Sequence, residues 1–461
     1  MVDSPGRPAP GETVKRAGGT RADLLVVTFA AVLVATAIAV GLYYNRDGSG
    51  VLIFAFAPPL FGNWLPHVGP GTPLALLVAF VVIAWGPVLA ARLPWRGLLP
   101  VSYLAALCWS LALVLIDGWS RGFTQRLTHP TEYLREVPGI VDIPRMVHTF
   151  ADRILMGRPD SWTTHVSGHP PGATLVFVWL DRLGLSGGAA ASWACVLAGC
   201  LVAVAVPVTV RALGSPEAAR AILPFVVLFP GAVWIAVSAD ALFAGVTASG
   251  IALLALSVRA FARRARSAIP LAAAAGVLLG FGVFLSYGLV LLGVLALAVV
   301  LAGRSLRALM WATGGALTVV GVFALAGFWW LDGYHLVLQR YYQGIASERP
   351  YSYWVWANLA CLAIAVGPAV VAAVRRGVAA GARTPIQRWD GALVLGGAAL
   401  VMILVADVSG LSKAEVERIW LPFAVWLLPL TALLPPATRR WWLAGQAVVA
   451  LTVNHLVLTV W

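Results

Sequence analysis

The sequence predicts an all-α protein that crosses a membrane many times. Of its 461 residues, 60% are hydrophobic and only 11% are charged, whereas about a quarter of the residues of an ordinary soluble domain are charged. Apolar runs of about 18 residues or more recur along the chain, and each is long enough to cross a bilayer core of about 30 Å. These observations exclude a soluble enzyme, a secreted disulfide scaffold and a disordered chain.

The apolar runs predict about thirteen transmembrane helices, together with amphipathic surface helices in one large outer loop. The expected boundaries are 24–44, 73–92, 97–116, 190–210, 217–235, 238–258, 270–286, 288–303, 308–330, 353–374, 391–408, 419–434 and 441–460. The run at 172–185 is too short to span, because Asp181 and Arg182 interrupt it and a glycine pair follows it. We expect a helix there that dips into the membrane from the outer face.

The chain divides into four predicted parts. Residues 1–21 form a disordered cytoplasmic tail, 22–96 hold two N-terminal transmembrane helices, 97–350 form the core, and 351–461 hold the C-terminal transmembrane helices. The core contains the outer loop 117–171, which is long enough to need structure of its own. Apolar residues recur near helical spacing over 132–154, which predicts one or two amphipathic helices on the membrane surface.

The distribution of charge predicts the orientation. With a cytoplasmic N-terminus, 20 of the 32 basic residues but only 5 of the 19 acidic residues fall in cytoplasmic segments, in agreement with the positive-inside rule. The net charge of +13 therefore reports orientation and contact with membrane lipids, and we expect no nucleic-acid partner. The sequence predicts a multi-pass protein of the cell membrane, with its active site on the extracytoplasmic face, where the polar motifs concentrate.

Two carboxylates of the outer loop are the candidate catalytic residues. Asp117 directly follows the predicted helix 97–116, and Glu132 lies further along the loop. A carboxylate that is partly desolvated at the membrane boundary can act as a general base. The alternative for each is a solvated loop charge, and the sequence leaves open which of the two is the base.

The outer loop ends in a histidine-rich segment, His165-Val-Ser-Gly-His169-Pro-Pro-Gly. Histidines four residues apart on a helix can ligate zinc, but the glycine and the double proline disfavour a helix, and no glutamate lies inside the motif. We therefore expect His165 and His169 to line a polar pocket, with a structural turn as the alternative and no metal site.

Polar residues also cluster in later outer segments. Asp240 lies at the outer end of a predicted helix, where it either faces the bundle interior or caps the helix with Ser238. The loop before the predicted helix 419–434 carries Lys413, Glu415, Glu417 and Arg418. Arg418 and Trp420 suit a lipid-linked phosphate and a sugar face, or alternatively an interfacial anchor. We expect the two glutamates to hold the Arg418 side chain.

The order of these motifs resembles the GT-C superfamily of integral membrane glycosyltransferases, in the branch of protein O-mannosyltransferases and lipid A aminoarabinose transferases. The resemblance covers residues 97–350, and the stretch 413–420 resembles one near the end of actinobacterial members. The matching elements are Glu132-Tyr133, His169-Pro170-Pro171-Gly172, the glycine-rich turn 183–188, Phe229-Pro230, Ser238-Ala-Asp240-Ala241-Leu242 and Phe284-Leu-Ser-Tyr287-Gly288. The chain departs from the family in lacking a plain Asp-Glu or Asp-Asp pair, and Tyr287 stands where a lysine is common.

The resemblance implies a GT-C-like fold and an inverting glycosyltransferase that moves a sugar from a polyprenyl-phosphate donor to an extracytoplasmic glycan, lipid or protein acceptor. A base removes the proton of the acceptor hydroxyl, and an arginine stabilises the departing phosphate. No cofactor is expected, and a divalent metal is optional. The residues expected to bind donor or acceptor are Tyr133, His165, His169, Asp240, Tyr287, Arg340, Arg349, Lys413, Glu417, Arg418 and Trp420.

Two other functions fit parts of the sequence. A membrane transporter or a flippase for lipid-linked sugars has a similar number of helices. Such proteins often carry internal repeats and bind substrate near the bilayer midplane, but this chain shows no two-fold repeat and almost no charge at midplane depth. A metalloenzyme would draw on six outer histidines, at positions 67, 129, 148, 165, 169 and 335.

The predicted topology is testable by labelling engineered cysteines from outside the cell. We expect the loop 117–171, the dipping helix and the loops 331–351 and 409–418 to form an outward-facing cavity. A cysteine at position 348 should react with a membrane-impermeant maleimide in intact cells, whereas cysteines at 263 and 376 should react only after the membrane is opened. Reaction of positions 263 or 376 in intact cells would contradict the topology.

Overall fold

Apolar helices joined by short turns make up most of the described chain. The structure, a computed structural model, describes residues 19–459, so nearly all of the predicted tail 1–21 lies outside the described residues. The first half contains α1 (Thr20–Tyr44), β1 (Gly62–Trp64), α2 (Thr72–Arg92), α3 (Trp95–Val114), α4 (Ile143–His148), α5 (Thr164–Ser167), α6 (Pro171–Arg182), α7 (Gly187–Gly199), α8 (Val202–Ala212) and α9 (Pro216–Val227). The second half contains α10 (Ala232–Ile235), α11 (Ala239–Ala262), α12 (Ala268–Leu285), α13 (Leu292–Ala302), α14 (Leu306–Leu325), α15 (Trp330–Gln343), α16 (Tyr351–Arg383), α17 (Gly391–Val408), α18 (Val416–Ile419), α19 (Leu421–Ala424), α20 (Arg439–Leu456) and β2 (Val457–Thr459).

Nine helical segments of residues 19–459 are long and apolar enough to cross a membrane. They are α1, α2, α3, the stretch Gly187–Ala212 that joins α7 and α8, α11, α12, α14, α16 and α17. A tenth is added if the segments Leu421–Leu433 and Pro436–Leu456, which are bent by 115°, are counted as one span. The prediction of a nearly all-α protein with many apolar spans is confirmed, whereas the count of thirteen spans is not reproduced.

Prolines and glycines shorten two of the predicted spans. The predicted helix 217–235 is interrupted after Val227, where Phe229-Pro230-Gly231 separates α9 from α10. The predicted helix 419–434 is broken into the short α19 and a 3₁₀ stretch, Val425–Leu433, that contains Pro429. Both interruptions follow from the missing backbone donor of proline, which ends a continuous ladder of helical hydrogen bonds.

The ends of the helices form two groups, one at each end of the bundle. We call the first group the acidic end, and it comprises segments 45–71, 115–186, 326–350, 409–420 and 457–459. The antiparallel pair β1 and β2 lies there, with Asn63 opposite Leu458. The second group, the arginine-rich end, comprises segments 93–94, 213–215, 263–267, 303–305, 384–390 and 434–438. Arg220, in the first turns of α9, donates there to the carbonyl oxygen of Leu93 at 2.9 Å.

Helix α11 lies at the centre of the bundle, and α1 lies at its edge. Of the most apolar part of α11, 78% of the residues are buried inside the protein, compared with 11% for α1. At the start of α11, Ser238 accepts a hydrogen bond from the amide of Ala241 at 3.2 Å and caps the helix. The central position of α11 places the residue two positions further on, Asp240, inside the acidic end.

The prediction of amphipathic helices over 132–154 is largely wrong. Only the six residues of α4 are α-helical there, and the rest of the segment forms three-residue 3₁₀ turns. Pro138 and Gly139 interrupt the apolar period, so a helix begins only at the cap Asp142, whose carboxylate accepts from the amide of Arg145 at 3.0 Å. The long amphipathic helix of the acidic end is α15, and the dipping helix predicted at 172–185 is α6.

Helix α16 leaves helical geometry within the membrane-spanning stretch. Gly367 has a φ of +77°, and Pro368 follows it. Backbone groups freed inside a membrane must find partners within the protein, and Gln446 of α20 supplies them. Its side-chain oxygen accepts from the amide of Ala369 at 3.2 Å, and its amide nitrogen donates to the carbonyl of Val366 at 2.8 Å. One glutamine therefore joins the two halves of α16.

We predict that Gly367→Ala destabilises the protein. A Cβ added at this position would overlap the side-chain oxygen of Gln446, and the alanine would have to adopt a positive φ. Strain of this kind costs about 1–3 kcal/mol, so the thermal midpoint in detergent should fall. The matched control is Gly314→Ala in α14, where an added Cβ would have no neighbouring atom within 4 Å outside the backbone of its own helix. Alanine favours the helix over glycine by about 1 kcal/mol. Equal midpoints for the two variants would contradict the role of Gly367.

Candidate functional site

The candidate site is built around the carboxylate of Glu132 at the acidic end. One carboxylate oxygen lies 2.6 Å from Nδ1 of His165. The backbone supports this contact, because the amide of His165 donates to the carbonyl of Thr131 at 3.0 Å and the amide of Thr163 donates to Glu136 Oε1 at 3.0 Å. The two distant parts of the outer loop are thereby held side by side, and Glu132 is 2% exposed.

Aromatic rings and His169 form the wall next to Glu132. His169 Nδ1 lies 2.7 Å from the carbonyl oxygen of His165, a contact that forms because the chain turns after the short helix α5 instead of continuing as a helix into the double proline. The ring of Tyr133 stacks on Phe177 of α6 at 5.0 Å and lies 5.8 Å from the His169 ring. This geometry places both histidines beside Glu132, and that they line a polar pocket for a substrate stays a prediction.

A buried ion-pair network lies beside the histidines. Arg418 donates from Nη1 to Asp240 Oδ2 and from Nη2 to Glu415 Oε2, both at 2.6 Å. Glu415 Oε1 in turn accepts from Arg349 Nη1 at 3.2 Å. The network therefore joins α11, the loop before α18 and the segment before α16. Glu415 holds the Arg418 side chain as the sequence predicted.

Two further cations, Lys413 and Arg340, lie at the same end of the protein. Lys413 Nζ donates to the carbonyl oxygens of Ala346 at 2.8 Å and Arg349 at 3.1 Å. Arg340, on α15, donates from Nε to the hydroxyl of Ser167 at 3.1 Å. Neither Lys413 nor Arg340 forms an ion pair with any residue in the range 19–459. Their positive charges are therefore not compensated locally.

The electrostatics keep the acids around Arg418 ionised. Burial raises the pKa of the Glu132 carboxyl, but the charges of His165 and Arg418 outweigh burial and hold this pKa below its usual value. For Glu415, burial is likewise outweighed by Arg418 and Arg349, which lower its pKa to about 2. Burial lowers the pKa of His169, so this ring is neutral at pH 7. Glu132 is thus an ionised carboxylate in a largely desolvated place.

Several buried polar atoms without partners lie in this cluster. Within the described chain, Glu132 Oε2, the Tyr133 hydroxyl, Arg349 Nε and Arg418 Nε are buried and make no hydrogen bond. The hydroxyl of Tyr287, whose ring lies against Trp330 of α15, is also buried and makes no hydrogen bond. Buried polar groups in proteins are nearly always satisfied, so a group of exceptions at one place indicates a functional site.

Asp117 does not belong to this cluster. Its carboxylate contacts His67 Nε2 at 2.8 Å and Arg126 Nη2 at 2.7 Å, and Arg126 also donates to the carbonyl oxygen of Thr459 in β2. Asp117 therefore ties the outer loop to the paired strands β1 and β2, and both of its oxygens are occupied. These contacts favour a structural role for Asp117 over the predicted role as catalytic base.

Two other predicted site residues have structural positions. Glu417 does not hold Arg418: its Oε1 accepts from the amide of Phe61 at 2.8 Å, and burial raises its pKa to about 7. Trp420 is 1% exposed and donates to the hydroxyl of Ser412 at 3.2 Å, so its ring offers no face to a sugar. These contacts contradict the expectations that Glu417 holds Arg418 and that Trp420 faces a sugar. The composition of a loop does not say in which direction each side chain points.

The site crosses the predicted domain boundaries. Glu132, Asp240 and Arg340 come from the predicted core 97–350, whereas Arg418 and its partner Glu415 come from the C-terminal part. Sequence reasoning missed Ser167 as a partner of Arg340. The only signal for it was its place between two histidines of one motif.

The comparisons with known proteins name no relative. No protein-family model matches the sequence, and no curated protein matches it significantly. Among residues 19–459, no group of three or more His, Cys, Asp or Glu side chains is arranged to hold a metal ion.

We predict that Asp117→Asn lowers stability without abolishing function. The substitution leaves the buried guanidinium of Arg126 without its carboxylate, and breaking a buried ion pair in this way costs about 3–5 kcal/mol. The thermal midpoint in detergent should fall, while the activity of each folded molecule persists. Asp47→Asn, at an exposed aspartate, is the control that should leave the midpoint unchanged. A stable but inactive Asp117→Asn protein would return Asp117 to the catalytic site.

Proposed function

We propose that this protein is an inverting glycosyltransferase that transfers a sugar from a polyprenyl-phosphate donor to an acceptor on the extracytoplasmic side of the cell membrane. The observation that carries the proposal is the state of Glu132. One of its carboxylate oxygens is fixed by His165, and the other is buried without a hydrogen bond from any described residue. The resemblance of the motif order to GT-C enzymes supports the same assignment.

Glu132 is a carboxylate that can accept a proton at neutral pH. Its pKa is held below the usual value by His165 and Arg418, so the carboxylate is ionised at neutral pH. Contact with His165 Nδ1 orients the group, and Oε2 is left to accept the proton of an acceptor hydroxyl. The acceptor oxygen then attacks the anomeric carbon from the face opposite the phosphate, and the carbon inverts as the lipid phosphate leaves.

The uncompensated cations suit the phosphate of the donor. Arg418 forms ion pairs with Asp240 and Glu415, which neutralise its charge. Its main role is therefore to orient the cluster and not to bind the phosphate. Arg340 and Lys413 carry no ion pair within residues 19–459, and Arg340 lies beside Ser167, between the two histidines in sequence. A guanidinium can neutralise the developing charge of a leaving phosphate through two parallel hydrogen bonds. We assign this task to Arg340.

The depth of the charged cluster favours an enzyme over a transporter or flippase. Asp240 is the second residue of α11, and Glu132, Glu415 and Arg340 lie in segments between the spans. A secondary transporter binds its substrate near the bilayer midplane between helical repeats. A cluster at the helix ends instead suits a lipid-anchored donor whose phosphate and sugar lie at the membrane surface.

We predict that Glu132→Gln lowers the rate of sugar transfer about 10²–10⁴-fold, the usual effect of losing a general base. The measurement is transfer from polyprenyl-phosphate sugars to envelope acceptors by purified protein, with donor binding measured separately and expected to persist. Glu348→Gln, at an exposed carboxylate of the acidic end, is the matched control and should keep the wild-type rate. Near wild-type turnover of Glu132→Gln would remove Glu132 from the reaction.

We predict that Arg340→Lys raises the apparent KM for the donor about tenfold, because an ammonium group cannot reproduce the paired hydrogen bonds of a guanidinium to phosphate. Arg135→Lys, at an exposed arginine of the same outer surface, should leave KM unchanged. Equal KM values for wild type and Arg340→Lys, with equal yields of folded protein, would assign Arg340 to a purely structural contact with Ser167.

A further inference from the structure

A cavity with both apolar and charged lining residues lies at the arginine-rich end, on the opposite side of the bundle from the site of Glu132. Its volume is about 250 Å³, roughly that of eight waters in the liquid. The lining residues are Pro87, Ala90, Ala91, Glu217, Arg220, Ala221, Pro224, Phe225 and Arg439. The cavity lies between the end of α2, the first three turns of α9 and the start of α20.

Two guanidinium groups give this cavity a positive character. Arg220 donates from Nη1 to the carbonyl oxygens of Ala90 at 2.7 Å and Leu93 at 2.9 Å, which fixes its direction without neutralising its charge. Arg439 is half-buried, and its Nε is fully buried with no hydrogen-bond partner in residues 19–459. A buried donor without a partner that lines a polar cavity indicates that an acceptor binds there.

The charged and the apolar residues of the cavity wall are separated along the axis of α9. Glu217 and Arg220 lie near the start of α9, at the helix ends, whereas Pro224 and Phe225 lie one to two turns deeper along the same face. Pro87 and Ala90 of α2 extend the apolar side. A molecule that fits both parts has a charged group at the membrane surface and hydrocarbon below it, as a membrane lipid has.

The single carboxylate of the cavity narrows the class of lipid. Glu217 is exposed and forms no ion pair with a residue of the described chain. A headgroup with both a phosphate and a primary ammonium places its phosphate against the two arginines and its ammonium against Glu217. We propose that this cavity binds a phospholipid whose headgroup carries a primary amine. The site does not depend on the proposed function of the acidic end.

Native mass spectrometry of the purified full-length protein with lipids of matched acyl chains tests the proposal. The wild type should retain phosphatidylethanolamine at least about tenfold more tightly than phosphatidylglycerol or phosphatidylcholine, because only the first supplies both charged hydrogen-bonding groups. Arg439→Gln should weaken binding of all three lipids. Glu217→Gln should lower the affinity for phosphatidylethanolamine to that for phosphatidylglycerol. Arg440→Gln, at an exposed arginine that does not line the cavity, is the control.

Three results would contradict the proposal. If Arg439→Gln and wild type retain phosphatidylethanolamine equally, with identical elution profiles of folded protein, the cavity is not a lipid site. If millimolar inorganic phosphate displaces the lipid completely, the cavity recognises a free phosphate rather than a headgroup. If Glu217→Gln keeps the preference for phosphatidylethanolamine, the role of the primary amine is wrong.

Discussion

The acidic end depends on the double ion pair of Arg418. This buried guanidinium contacts Asp240 in the first turn of α11 and Glu415 in the loop before α18, and removing one partner from such a pair costs about 3–5 kcal/mol. Because Glu415 also contacts Arg349, the same charge fixes the segment that precedes α16. The central helix of the bundle, the late outer loop and the segment after α15 are thus held in one arrangement, against which Glu132 and His165 are positioned.

Part of this architecture could be predicted from the sequence, because it follows from local rules. Apolar runs of membrane length located most of the helices, and the glycine and the proline pair predicted that no continuous helix joins His165 to the segment after His169. Pairing of Arg418 with Glu415 was predictable since the two residues lie three positions apart. Each of these features depends on residues that are close in the chain.

The features that escaped prediction depend on distant residues. The sequence offers Asp117 as a candidate base, but in the fold His67 and Arg126 contact its two carboxylate oxygens. The break of α16 at Gly367 is stable only because Gln446, far along the chain, satisfies its backbone groups. Glu417 points away from Arg418 and towards the amide of Phe61. No local pattern encodes such partners, so composition alone assigned these residues to the wrong neighbours.

The pairing of β1 with β2 has a consequence for the order in which the protein is made. Strand β1 is synthesised early, at Gly62–Trp64, but its partner β2 is formed by Val457–Thr459, almost at the end of the described chain. At about 5–20 residues per second, the ribosome needs roughly 20–80 seconds to reach the second strand. During that interval β1 has no partner strand, and Arg126 can contact Asp117 but not the carbonyl oxygen of Thr459. The complete set of contacts around Asp117 therefore forms only after the last helix has been made.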